Sequence, residues 1–356
     1  MEARVGTDGR GSQVSLPQEL STGRLVRRAL TVVALLVAIG LIAAFAPGLG
    51  EVRTRLSGAQ PGWLAVGVGL EFLSCASYVL MFRPVFCPSM SWRTSWEIGW
   101  SELAVGSIVP ASGAGGLALG AWILRQGGMP LEQIARRSVA FFLIKSSVNF
   151  VAVAVIGTAM ALGLGPRHSL LLTALPAAMS VLTIAAVVAL PRIGPGPQRE
   201  HEASRLRRAI AAVRGAIVDG AGEAVRILRS GNLLVIAGSV GYWAFDNAVL
   251  WATYHAVGAS VPLTVVLMGY LIGQLGGLLP IPGGVGGIDG GLIGTLIVYG
   301  APAAATVAAV LAYRVILFWL PLIVGGAAFL ALRRGLNRPE RPDLCRPVPA
   351  GAASAR

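Results

Sequence analysis

The chain has 356 residues, 55% hydrophobic and only 13% charged, and its 29 basic residues against 16 acidic ones leave a formal charge of +13. Soluble domains carry about a quarter charged residues, so this composition excludes an ordinary water-soluble enzyme, and its apolar content excludes a disordered chain. The basic residues fall between apolar runs and not across a polar surface, which makes them a membrane-topology signal and gives no reason to expect nucleic acid as a partner.

Residues 1–28 form a polar, Gly-rich tail that ends in Arg24, Arg27 and Arg28. Crossing the bilayer core takes about 20 apolar helical residues, and six stretches qualify: 29–46, 62–82, 138–164, 169–190, 233–257 and 303–332. No small-residue cleavage site closes the first of them, so it reads as a retained helix and not a signal peptide. Trp92, Trp96 and Trp100 recur every four residues, one stripe of a helix, and read as an interfacial aromatic belt. Residues 204–228 space Leu206, Ile210, Val213, Ile217 and Val225 along a basic helix, which suits either an anionic leaflet or a solvated linker. The organisation is one transmembrane domain over 29–332, with a basic loop at 191–230 and a basic tail at 333–356.

Two apolar regions do not fit a straight span. Residues 98–124 are interrupted by Pro110-Ala-Ser-Gly-Ala-Gly-Gly, and residues 263–299 by Pro280-Ile-Pro-Gly-Gly-Val-Gly-Gly. Proline and clustered glycine end a regular helix, so each region is expected to enter the membrane, break and fold back. Arginines test this: Arg83 and Arg93, Arg125, Arg136 and Arg137, the loop 191–230, and Arg333 and Arg334 all fall on one side only if both regions reverse or both cross an even number of times. That side is the cytoplasm, with both termini inside; the first hairpin enters from it and the second from outside. The membrane is expected to be the cytoplasmic membrane of a bacterium.

The two breaks share a grammar. Gly113, Gly115 and Gly116 precede a short apolar helix, Gly128-Met129-Pro130 and a span with Lys145; Gly283, Gly284, Gly286 and Gly287 precede a short apolar helix, Gly300-Ala301-Pro302 and a span with Arg314. The fold expected is therefore all-α and polytopic: six full transmembrane helices plus two re-entrant hairpins, arranged as an inverted repeat. A helix that starts inside the membrane presents unpaired N–H groups and the positive end of its dipole, a setting that favours phosphate. Close helix packing also uses small residues, and both readings of these glycines stay open.

Lys145, the only lysine, and Arg314 lie within spans, with Asn149 one turn beyond Lys145. A charge at the bilayer centre costs about 2.5–3.5 kcal/mol on insertion scales, so each needs a partner or a wet cavity. Glu71, Glu102, Asp246 and Asp289 are the available acids; spacing alone does not pair them, and Asp289 equally suits a helix N-cap. Cys75, Cys87, Cys345 and the three histidines show no metal-ligand spacing, and no cofactor or catalytic motif is present.

The residues Leu279-Pro-Ile-Pro-Gly-Gly-Val-Gly-Gly-Ile-Asp289, followed by Gly300-Ala-Pro302, Ala312-Tyr-Arg314 and Trp319-Leu-Pro321, resemble the lysylphosphatidylglycerol synthase transmembrane family, also called flippase-like or UPF0104. The resemblance implies translocation of an anionic phospholipid or lipid-linked head group, without the soluble aminoacyl-transferase half, so the chain is not expected to be an enzyme. Its substrate-binding set is then Gly115, Gly116, Lys145, Asn149, Asp246, Gly283, Gly284, Gly286, Asp289, Tyr313 and Arg314. This sequence departs from the family where Asp289 stands in place of the usual Glu, and where Leu117 and Gly120 stand in place of an acid and an Arg. The alternative is a non-transporting membrane partner of a lipid synthase or glycosyltransferase.

Overall fold

The computed structural model describes residues 22–109, 114–164, 166, 168–193, 205–274 and 287–336. Among the described residues the secondary structure is entirely helical. The elements are α1 (Thr22–Phe45), α2 (Gly50–Ser57), α3 (Pro61–Phe86), α4 (Trp92–Ile108), α5 (Ala114–Gln126), α6 (Leu131–Ala161), α7 (Leu170–Ile193), α8 (Arg205–Arg229), α9 (Leu233–Ala256), α10 (Leu263–Gln274), α11 (Gly287–Val298) and α12 (Ala303–Leu336).

Helices α3, α6, α7, α9 and α12 are long and apolar enough to cross a membrane. They match five of the six expected spans. The sixth, α1, has 24 residues but begins at Thr22, which brings Arg24, Arg27 and Arg28 into the helix itself. Local chemistry starts these helices where the sequence changes character. Ser91 caps α4 by accepting from Thr94 N–H at 3.1 Å, and Asn232 caps α9 by accepting from Leu234 N–H at 3.0 Å. Helix α2 was not anticipated; eight residues held by an Arg55–Glu51 pair give no apolar periodicity to read.

Both broken regions fold back as expected. Helices α4, α5, α10 and α11 have 17, 13, 12 and 12 residues, or about 18–26 Å each, less than the roughly 30 Å of hydrocarbon. Each pair is antiparallel. Gly116 and Gly120 of α5 lie on Glu102 of α4, with Gly115 on Val109. In the second hairpin Gly269 lies on Leu296 and Gly273 on Leu292. The breaks at Pro110 and Pro280 lie outside the described residues, as do Gly283, Gly284 and Gly286.

The order of a long helix, two shorter ones and a long one is found in α3–α4–α5–α6 and again in α9–α10–α11–α12, with α7 and α8 between. The closest correspondence is the turn before the last helix. Gly128 (φ +88°) and Gly300 (φ +89°) adopt the left-handed conformation. Gly128 N–H donates to Arg125 O and Met129 N–H to Leu124 O; Gly300 N–H donates to Ile297 O and Ala301 N–H to Leu296 O. Each is a glycine-terminated helix end, and each hands over to a proline that opens the next helix.

Among the described helices, α3 and α9 make the most extensive contact. Small residues allow it: a methyl added at Gly238 would meet Met81 Cβ at 2.7 Å and the Ser77 carbonyl at 2.8 Å. Polarity follows a membrane protein's plan. Val155, Leu171, Leu182 and Ile323 are exposed, whereas Glu71, Ser74, Ser101, Glu102, Asp246 and Asn247 are buried.

Two expectations change. Trp92 is exposed, with Arg83 4.6 Å above its ring, but Trp100 is fully buried, stacks 5.4 Å from Trp96 and 5.5 Å from Phe72, and carries Gly325 of α12 against its carbonyl. The stripe therefore leads from the surface into the packed interior and is no belt. Helix α8 is docked, not solvated: Val218, Ala221 and Ala224 are buried and Glu223 lies 3.7 Å from Arg136 of α6. Val213 and Ile217 stay exposed on its other side.

Candidate functional site

A polar cluster lies where α3, α4, α6, α9, α10, α11 and α12 converge. Its first part is Glu102, buried on α4. Glu102 Oε2 accepts from Tyr78 Oη of α3 at 2.7 Å. The carboxylate occupies the space over Gly120 of α5; a methyl there would overlap Glu102 Oε1. Hairpin packing and the placement of this acid are thus one arrangement.

The second part is Asp246, on α9. Tyr313 Oη of α12 donates to Oδ1 at 2.8 Å, and Tyr270 Oη of α10 donates to Oδ2. Hydrogen bonds to an ionised group contribute about 1.5–3 kcal/mol each, enough to offset much of the cost of holding a carboxylate in low dielectric. The two halves share a pattern with its parts exchanged. Tyr78 and Glu102 are 24 residues apart, and so are Asp246 and Tyr270, but the acid is on the second helix in one unit and on the first helix in the other.

The cations complete the cluster. Arg314, the residue after Tyr313, donates from Nε to Asp289 Oδ1 of α11 at 2.7 Å, with Nη2 at 2.5 Å. One turn of α12 thereby engages α9 and α11 together. Lys145 stands near the middle of the 31-residue α6. Its Nζ lies 5.6 Å from the Tyr242 ring centroid, 5.8 Å from Phe142 and 6.0 Å from Tyr78, within cation–π range. Lys145 interacts electrostatically with both Glu102 and Asp246. Arg314 also acts on Asp246. Asp246 therefore sits in the field of both intramembrane cations.

The sequence profile of the lysylphosphatidylglycerol synthase TM region matches residues 31–325, from within α1 to within α12. The chain belongs to the lysylphosphatidylglycerol synthase transmembrane family. Two UPF0104 membrane proteins of Methanothermobacter thermautotrophicus are similar to it: one is 24% identical, covering 83% of this chain and 94% of the relative; the other is 28% identical, covering 83% and 90%. With its apolar helices, this family member is a multi-pass membrane protein.

Among the residues expected to form the site in this family member, Lys145, Asp246, Asp289, Tyr313 and Arg314 converge as described. Asn149 follows Lys145 by one turn, and its Oδ1 is buried without a hydrogen-bond partner among the described residues. Gly115 and Gly116 do something else: they face Val109 and the Glu102 carbonyl, so they let α4 and α5 touch. Asp289 lies in the first turn of α11 but is paired with Arg314. The departure at Gly120 has a counterpart. Where the family resemblance places an Arg, this chain has no side chain, and the Glu102 carboxylate fills the gap. Tyr78, Tyr242 and Tyr270 were not singled out in the sequence, because a tyrosine in an apolar helix reads as core or interface until its partner is known.

Proposed function

We propose that the chain moves an anionic phospholipid or lipid-linked head group across its membrane. The head group would pass beside Lys145 and Arg314 while the acyl chains remain in lipid. The observation that supports this reading is that the two intramembrane cations, Lys145 on α6 and Arg314 on α12, converge on the tyrosine-held carboxylate of Asp246, with Arg314 next to the Tyr313 that donates to it. An unoccupied cationic site in hydrocarbon would be costly; here the protein's own acids neutralise it at rest. An arriving phosphate would compete with Asp246 for the same two cations, so binding exchanges one anion for another. Arg314 suits a phosphate with its planar fork, and Lys145 with a point charge.

The basic loop at 191–230 and the basic tails favour placing their side in the cytoplasm. With hairpins entering from opposite faces, the units would form an inverted pair that exposes the cluster to each side in turn.

Purified protein in liposomes containing acyl-labelled phosphatidylglycerol tests the reading. Loss of inner-leaflet signal to an external quencher should accelerate over protein-free liposomes. Arg314→Ala and Lys145→Ala should each slow it by roughly tenfold or more, the equivalent of about 1.4 kcal/mol. No acceleration, or an unchanged rate in both variants, would sink it. A co-purifying lipid synthase or glycosyltransferase, with cellular function intact after both cations are neutralised, would favour the non-transporting partner instead.

A further inference from the structure

The cluster holds more acid than base. Glu71, Glu102, Asp246 and Asp289 stand against Lys145 and Arg314. Asp289 is paired with Arg314, and Glu102 and Asp246 take tyrosine hydroxyls and share Lys145. Glu71 has neither kind of support. It is 5% exposed on α3. Its Oε1 accepts only a weak bond from Cys75 Sγ at 3.3 Å, and its Oε2 is buried with no hydrogen-bond partner among the described residues.

Its surroundings add negative potential. Across the α3–α9 contact the Asp246 carboxylate is the source of that potential, while Tyr242 and Tyr313 nearby are uncharged phenols. The helices are tight here: Ser74 Oγ donates to Tyr242 O at 3.2 Å, and a methyl at Gly241 would lie 2.6 Å from Ser77 Oγ. Helices α4, α6 and α12 also bring Glu102, Lys145 and Arg314 to the cluster, but both cations are engaged by the other acids. A lone ionised carboxylate beside a second one, without a cation of its own, is held there at high cost, so that any further negative charge tips it to the protonated acid.

We propose that Glu71 is a proton-binding site that takes up one proton with each bound anionic head group and gives it up when the head group leaves. The inference rests on the translocation reading above. In the step an O–H bond forms at Glu71 Oε2 as the carboxylate becomes a carboxylic acid, and the same bond breaks on release; no other reactant is consumed. The arriving anion raises the negative potential at Asp246 and Glu71, and the proton compensates it. Cargo and proton then travel together, and the more acidic side drives cargo away from itself.

Two measurements separate this inference from the reading beneath it. In the first, infrared spectra of purified wild type and Glu71→Gln are compared in the protonated-carboxyl C=O region. Wild type should show a band that rises when short-chain phosphatidylglycerol is added and that Glu71→Gln lacks, while Asp246→Asn, if it folds, retains a Glu71 band. A band unchanged in Glu71→Gln overturns the proton site, whatever the protein transports. In the second, liposomes carry a pH difference. Wild type should accumulate labelled lipid in the leaflet on the alkaline side, by severalfold over equal pH. Glu71→Gln, an uncharged stand-in for the protonated acid, should keep exchange at equal pH and lose the response to the gradient. Exchange in wild type that ignores the gradient overturns the coupling and leaves translocation standing. No exchange under any condition overturns translocation and coupling together, and leaves the proton on Glu71 to the infrared band alone.

Discussion

Gly120 and Glu102 show how a missing side chain can position a charged one. A methyl at residue 120 would occupy the volume of Glu102 Oε1, and the carboxylate has the Tyr78 hydroxyl to lose. Gly120→Ala should therefore cost about 1–3 kcal/mol by overpacking, read as a lower midpoint in thermal unfolding of the detergent-solubilised protein. Gly294→Ala, on a helix face with nothing within 4 Å, should be neutral or gain about 0.5–1 kcal/mol from helix propensity. The Arg314–Asp289 pair makes a second test. Arg314→Ala takes the guanidinium from a mostly buried acid and should cost about 3–5 kcal/mol, whereas replacing both members by leucine should recover much of that stability without restoring lipid exchange. Little of this pairing was legible beforehand. The acids and cations could be picked out one by one from apolar runs, but which acid meets which base depends on how the helices converge, and local spacing carries no such information. The tyrosine partners were hidden for the same reason.

At the scale of elements the sequence was far more explicit. Hydropathy and length marked α3, α6, α7, α9 and α12 because a bilayer imposes a minimum run of apolar residues, and proline with glycine marked where α4 and α10 must stop. The Gly-X-Pro pairs, read as a sign of repetition, turn out to be two helix ends with the same hydrogen bonds and nearly the same backbone angle. That likeness makes a quantitative prediction. Gly128 and Gly300 both hold positive φ with open space around the Cα, so alanine at either should be penalised by conformation alone, by about 1–2 kcal/mol. The two variants should lose the same stability within error in thermal unfolding; a large difference would mean that the turns play unequal structural roles. The glycines after the first break were harder to assign, since close approach to a ligand and close approach to a helix demand the same absence of side chain. The contacts at Gly115 and Gly116 decide for the helix.

Across the whole molecule, the arginine clusters and the hairpins make one joint statement about sidedness. Leu131 and Ala303 are both exposed and stand at matching places after the two glycine turns. Single cysteines there, Leu131→Cys and Ala303→Cys in an otherwise cysteine-free chain, should react with a membrane-impermeant maleimide from opposite faces of the membrane. Labelling of both from one face would remove the inverted arrangement and with it the route proposed for the cargo.

The tyrosine and acid that trade places between the halves bear on what such a route would do when idle. Two interchangeable halves would leave a rocking carrier balanced, as content open to one face as to the other. Here one half hangs its acid on the hairpin and the other on the long crossing helix, so for a carrier of the proposed kind the two postures would differ in energy and one side would be preferred for waiting.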